Sequence, residues 1–195
     1  MITRLSLLCL AMTQCFVTGC ADHRPGPEDA LTDRSHETEE LLFNAERGTA
    51  DDQYNLGVRY ERGSGISQSY QEAVRWYRLS ALQGYKDAQY KLCEMSERGQ
   101  GLPQDYQEAL RWCALAAEQG HGHAMFMLGR LYHTGHGVPQ DVVRAHMWYN
   151  LATANGYDEG KRWRDRLADE MSETQIAEAQ KLAREWTVRM TSRHS

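Results

Sequence analysis

Three groups of residues in this 195-residue chain are of types that could do chemistry. The stretch YHTGHGVPQD, residues 132–141, places His133 and His136 at i, i+3 beside Gly135 and Gly137. Imidazoles at that spacing can share a metal ion, and close glycines can wrap backbone N–H groups around a phosphate. Cys93 and Cys113 could pair as a disulfide. Cys20 ends the stretch VTGC behind a short apolar run, where a thiol can be lipidated. Each reading depends on which elements hold the residues.

The glycines recur and the histidines do not. SERGQGLPQD stands thirty-six residues upstream and YERGSGISQS thirty-six before that, so Gly63, Gly99 and Gly135 form one series and Gly65, Gly101 and Gly137 another. The glycines therefore belong to the fold. His121 and His123 precede a helix whose far end carries His133 and His136, roughly 15 Å away at 1.5 Å per residue. No carboxylate or cysteine joins the i, i+3 pair at metal-like spacing. Solvated loop histidines are expected, with no metal and no other cofactor. No nucleophile elbow, Ser-x-x-Lys box, Walker loop or HExxH stretch is present, so no catalytic residue is assigned and a non-enzymatic protein is expected.

Residues 49–84, 85–120 and 121–156 align with one another without insertion. Leu56, Leu92 and Leu128 match, as do Ala73, Ala109 and Ala145, Trp76, Trp112 and Trp148, and Gly84, Gly120 and Gly156. Each unit predicts a helix A over 51–62, 87–98 or 123–134 and a helix B over 70–83, 106–119 or 142–155. Ser69 with Glu72 and Asp105 with Glu108 read as capping boxes, and Asp141 caps alone. Gly84, Gly120 and Gly156 stand where a left-handed residue ends helix B. Gly57 and Gly129 sit at the centre of the apolar arc of helix A, where only a small residue lets helix B approach. Ala73, Trp76, Tyr77 and Ser80 form the facing stripe. One hairpin cannot bury both faces, so the expected fold is all-α, a right-handed α-solenoid of stacked helix-turn-helix repeats. Residues 37–48 read as an N-terminal half repeat. Residues 157–190 read as C-terminal capping helices, the last opened by a Ser172–Gln175 capping box and a Met171–Ile176 staple and striped by Ile176, Ala179, Ala183 and Trp186.

A formal charge of −5 without a Lys/Arg block gives no footprint for nucleic acid. The first residues differ in kind from the rest. Arg4 supplies a positive start, and residues 5–17 form an apolar run too short to span a bilayer as a helix. Residues 1–19 therefore read as an export signal, and Val17–Cys20 resembles the bacterial lipobox, with Cys20 as the lipidated residue. The alternative is an ordinary signal cut nearby. Residues 20–36, polar and with two prolines, read as a disordered tether. Ala21 rather than Asp after the lipid cysteine favours the outer membrane, facing the periplasm.

The 36-residue register, LG..Y..G.G followed by A..W and a closing glycine, resembles the Sel-one-like repeat, a cousin of the tetratricopeptide repeat. The resemblance implies an adaptor that binds other envelope proteins or peptides, anchored to the membrane by its lipid, and a monomer is expected. Some related repeat lipoproteins serve polysaccharide export. Some cysteine-rich members are linked to binding or hydrolysing penicillin-type compounds, but their recurrent cysteine spacing is missing here. A cell-wall enzyme and a regulatory periplasmic repeat protein remain the alternatives. The solvent-side arc of the A helices should line the concave face and hold an extended peptide or a partner helix. The candidate residues are Tyr54, Val58 and Arg62, then Tyr90, Glu94 and Arg98, then Phe126 and Arg130. An ordinary solvated face is the alternative.

Cys93 replaces the packing glycine of helix A, and Cys113 replaces the tyrosine of helix B found at Tyr77 and Tyr149. Six residues before Gly99 and seven after Tyr106, they stand at matched heights on facing stripes. A disulfide is geometrically reasonable there; two small buried thiols are the alternative.

Overall fold

The computed structural model describes residues 40–193. The expected signal (1–19), Cys20, the tether (20–36) and the first residues of the half repeat lie outside the described residues. Nine helices follow one another among those described: α1 (40–46), α2 (Ala50–Arg62), α3 (Tyr70–Leu82), α4 (Lys86–Arg98), α5 (Tyr106–Glu118), α6 (Gly122–Thr134), α7 (Val142–Ala154), α8 (Glu159–Ala168) and α9 (Glu173–Arg193). The A helices α2, α4 and α6 each pair with the B helix that follows, and each B helix packs on the next A helix, through α8. The result is the right-handed solenoid with the 36-residue period. No described helix is long and apolar enough to cross a membrane.

The repeated loop is held by three bonds that recur in every unit. Ser69, Asp105 and Asp141 cap the B helices, accepting from the N–H of Glu72 (3.2 Å), Glu108 (2.9 Å) and Arg144 (2.9 Å). The reciprocal half of a capping box, expected from Glu72 and Glu108, does not form. The N-cap N–H groups instead donate to the helix A carbonyls of Tyr60, Ser96 and Tyr132, each at 2.9 Å. Glu108 is turned outward to Arg78 (3.0 Å) and the indole of Trp112 (3.3 Å). Gln68, Gln104 and Gln140 complete the loop, their side-chain amides donating to the carbonyls of Glu61, Glu97 and His133 at 2.7–2.8 Å. Two glycines per loop take positive φ. The second also sets the stacking distance: a Cβ on Gly101 would lie 2.4 Å from the carbonyl oxygen of Tyr70 in the preceding repeat.

Inside the first and third hairpins the glycine of helix A accepts the ring of helix B. A Cβ on Gly57 would lie 2.6 Å from Tyr77, and one on Gly129 2.5 Å from Tyr149. Buried glutamines tie neighbouring units together. Gln53 donates to the Ala45 carbonyl (3.2 Å) and accepts from Gln83 (2.8 Å), and thirty-six residues on Gln89 donates to Ala81 (3.1 Å) and accepts from Gln119 (2.9 Å). At the C-terminal end, Ser172 and Gln175 do form a reciprocal capping box, with bonds of 2.9 and 3.3 Å. The helix they open, α9, does not pair with α8 as a B helix would. It packs against α7 on the outer layer, through Ala179, Ala183, Trp186 and Met190.

Candidate functional site

The inner layer carries a depression of about 450 Å³ built by three successive A-type elements. α4 contributes Tyr90, Glu94 and Arg98, and α6 contributes His123, Phe126, Met127 and Arg130. The turn before α8 and its first two turns add Tyr157, Glu159 and Trp163. Five of the eight residues expected on the concave face therefore converge here. Val58 and Arg62 line a separate depression with Leu41, Asn55 and Arg59. Tyr54 lines neither, its ring tilted against Tyr77 (5.6 Å) and Tyr85 (5.1 Å).

The floor is aromatic. Phe126, which is buried, lies 4.9 Å from Tyr157, 5.5 Å from Tyr149 and 6.4 Å from Trp163, centroid to centroid. His123 packs on Tyr157 at 4.2 Å and Tyr90 stacks on His121 at 4.6 Å. The rim is charged but internally paired. Glu94 takes Arg98 (3.0 Å) and Lys91 (3.7 Å), Lys91 reaches back to Glu61 (3.0 Å), and buried Glu97 takes Arg130 (2.8 Å). Glu159 accepts from the Tyr157 hydroxyl (2.8 Å) and the Trp163 indole (3.4 Å), and those bonds hold its carboxyl below the usual range.

Burial pushes the Tyr90 phenol up to about 12, and burial together with the bond to Glu159 does the same for Tyr157. Both phenols are therefore neutral donors near neutral pH. A site of this kind can hold an apolar or aromatic side chain on its floor and read a peptide backbone with its rim. No nucleophile with an adjacent base is found among the lining residues.

The histidines divide: His123 and His136 are exposed, whereas His121 and His133 are half-buried. His121 is the N-cap of α6, its Nδ1 accepting from the Ala124 N–H (3.2 Å) and its Nε2 lying 3.3 Å from Asp87. Burial, opposed by Asp87, lowers its pKa. His133 meets the Tyr149 hydroxyl at 3.4 Å, and His136 stacks on Tyr106 at 4.5 Å. Among the described residues no three His, Cys, Asp or Glu side chains group to hold a metal ion. Cys93 and Cys113, both buried, are joined as a disulfide with their Cα atoms 5.3 Å apart. They take the places that glycine and tyrosine occupy in the flanking repeats.

Tyr157, Glu159 and Trp163 were outside the sequence-derived face. Their signal was the period itself: Tyr157 follows Tyr85 and His121 at thirty-six-residue steps, and Trp163 follows Lys91 and Met127. α8 continues the A-helix layer although its charged sequence hides the repeat.

Fold and site define a helical-repeat scaffold. The Sel1 repeat family matches residues 50–85, 86–121 and 122–157, and the chain belongs to that family. Two solved structures are similar. A Sel1 repeat protein from Oxalobacter formigenes is 31% identical, with a TM-score of 0.65, over 69% of this chain and 55% of that one. A protective antigen of uropathogenic Escherichia coli with an SLR fold is 32% identical, with a TM-score of 0.71, over 83% of this chain and 33% of that one. This chain thus spans about half the length of the first and a third of the second. No curated protein matches. Sel1 repeats form scaffolds that typically carry protein–protein interactions.

Proposed function

We propose that this protein is a non-enzymatic scaffold of the bacterial cell envelope that binds a partner protein or peptide in the inner-layer depression. The observation that carries the reading is the aromatic floor of Phe126, Tyr157 and Trp163 beneath the rim of Glu94, Arg98 and Arg130, a surface suited to recognition. Arg98 and His123 are exposed at its edge. A photo-crosslinker placed at His123 in living cells should trap one discrete partner. Arg98→Glu, at an exposed residue, should weaken that product without lowering the thermal midpoint, and Arg98→Glu with Trp163→Ala should abolish it in a chain that circular dichroism shows still folded. A crosslinked band unchanged in the double variant would overturn the reading.

The envelope location rests on the lipobox-like Val17–Cys20 and on Ala21. Cys20 carries the lipid, and residues 20–36 tether the folded body to the periplasmic side of the outer membrane. Cys20→Ala should leave an unprocessed or soluble product that incorporates no palmitate. Unchanged processing and anchoring, or recovery of the native chain with inner-membrane fractions, would count against this placement.

A further inference from the structure

The C-terminal helix shows what the outer layer of this fold accepts. α9 lays Ala179, Ala183, Trp186 and Met190 along α7, and Trp186 meets Trp148 edge to face at 5.5 Å. Beneath it Met147 and Leu151 are 8% and 3% exposed. Thirty-six residues upstream of Leu151 is Leu115, and thirty-six before that is Leu79. These stay 44% and 40% exposed, and Leu82, one turn beyond Leu79, is 72% exposed. Lone exposed leucines are ordinary. Leucines at the repeat position that α9 covers, on adjacent B helices, form a continuation of an interface the chain already makes once.

Charge distinguishes the open stretch from the covered one. Met147 is replaced by Arg111 in α5 and by Arg75 in α3, and Arg78 lies one turn before Leu82. Among the described residues Arg111 makes no ion pair. The pairs of Arg75 with Glu72 (3.6 Å) and Arg78 with Glu108 (3.0 Å) are solvent-exposed and therefore readily exchanged. Glu118, which holds Arg193 of α9 at 3.6 Å, corresponds to Leu82 one repeat earlier. The occupant of the open stretch must therefore bring an apolar group where α9 brings a cation.

We propose that the outer faces of α3 and α5 form a second docking site, which receives an amphipathic helix of a partner protein carrying acidic residues beside its apolar stripe. The helix lies along the leucines as α9 lies along α7, with small residues where the backbones approach and a bulky apolar side chain one or two turns on. Its carboxylates face Arg75 and Arg111. A second copy of α9 is a poorer occupant, because Arg184, Arg189 and Arg193 in its second half would meet those arginines. The site is on the layer opposite the aromatic depression and is independent of it.

The probe is a synthetic peptide helix with alanine, alanine and tryptophan at the spacing of Ala179, Ala183 and Trp186, glutamates on both flanks, and a twin with lysines in their place. Binding to the full chain is read by fluorescence anisotropy. The acidic peptide should bind, and the lysine twin about tenfold or more weaker. Leu79→Glu with Leu115→Glu should weaken the acidic peptide by a similar factor without lowering the thermal midpoint, since both residues are exposed. Arg98→Glu in the depression should leave it unchanged. Arg111→Glu, which touches only the rim, should shift preference toward the lysine twin. Equal binding of the twins overturns the proposal, as does loss through Arg98→Glu but not through the leucines. Two further outcomes also overturn it: self-association of the chain that Leu79→Glu abolishes, and leucine-dependent binding to vesicles with about a third anionic lipid when neither peptide binds.

Discussion

A tyrosine ring fills the space where a glycine's Cβ would be, in the first repeat and again in the third. Gly129→Ala would gain up to about 1 kcal/mol of helix propensity. It would also place a methyl 2.5 Å from the Tyr149 ring, which is fully buried and has nowhere to move. Overpacking of that kind costs about 1–3 kcal/mol. The expected net loss is about 1–2 kcal/mol, read from the urea midpoint; a gain in stability would mean the ring can shift. The middle repeat solves the same spacing problem differently. Cys93 and Cys113 close a loop of sequence separation 20, a crosslink of about 3 kcal/mol in the chain-entropy model. Denatured without reductant, the oxidised protein should offer neither thiol to a maleimide, and reduction should lower the thermal midpoint by several degrees. Cys93→Gly with Cys113→Tyr restores the residues of the flanking repeats and should recover much of the loss. Free reaction of both thiols would reduce the pair to buried packing.

Single helices carry the pH dependence. His146 is buried on α7 where the earlier repeats have Val74 and Leu110, and its Nδ1 has no hydrogen-bond partner among the described residues. Burial first, then the charge of Arg164 on α8, lowers its pKa, with Asp165 opposing. A lowered pKa means the unfolded chain binds the proton more readily than the folded one. Stability is therefore complete above the ordinary histidine value of about 6.5 and is lost as pH falls through the folded value. His121 acts in the same direction. The urea midpoint should drop between about pH 7 and about pH 5, and His146→Leu should flatten that slope. An unchanged slope would place the sensitivity elsewhere.

The same helices show what could be read from the sequence. Their bounds were legible because glycine, cap and tryptophan recur together, and a period fixes boundaries that propensity alone leaves loose. The capping-box pairing was misread because the N-cap N–H has a better acceptor in helix A, a tertiary bond invisible to a local motif. The stripe of α9 announced a buried face but could not say which surface would cover it. The depression was half legible: its α4 and α6 walls lie in repeats that match at many positions, whereas Tyr157 and Trp163, though in phase with the period, are surrounded by a charged cap sequence that hides it.

At the scale of the whole described body, burial is uneven along the solenoid. One large apolar cluster runs from Cys93 and Ala109 through Met125, Leu128 and Tyr149 to Trp186 and Met190, spanning α4 to α9. Two smaller ones lie before it, one joining α3 to α4 around Tyr77 and Leu92, the other joining α1 to the first repeat around Ala45, Leu56 and Trp76. Among the described residues the outer end of the first repeat is closed by the short α1, through Leu41, Leu42, Ala45 and the bond from Gln53. Solenoid stability is approximately a sum of repeat and neighbour terms, so unequal ends open at unequal cost. We expect hydrogen exchange to be fastest in α1 to α3 and slowest in α6 and α7, with the disulfide of the middle repeat standing between. Leu56→Ala, at a residue of no exposed area, should cost about 2–5 kcal/mol and release protection in α1 to α3 alone. Leu128→Ala, at 2% exposure, sits in the large cluster and should lower protection throughout α4 to α9. The two variants together separate sequential from concerted opening. If all nine helices exchange with one common free energy, and both substitutions lower it equally, the described body is a single cooperative unit and the graded picture is wrong.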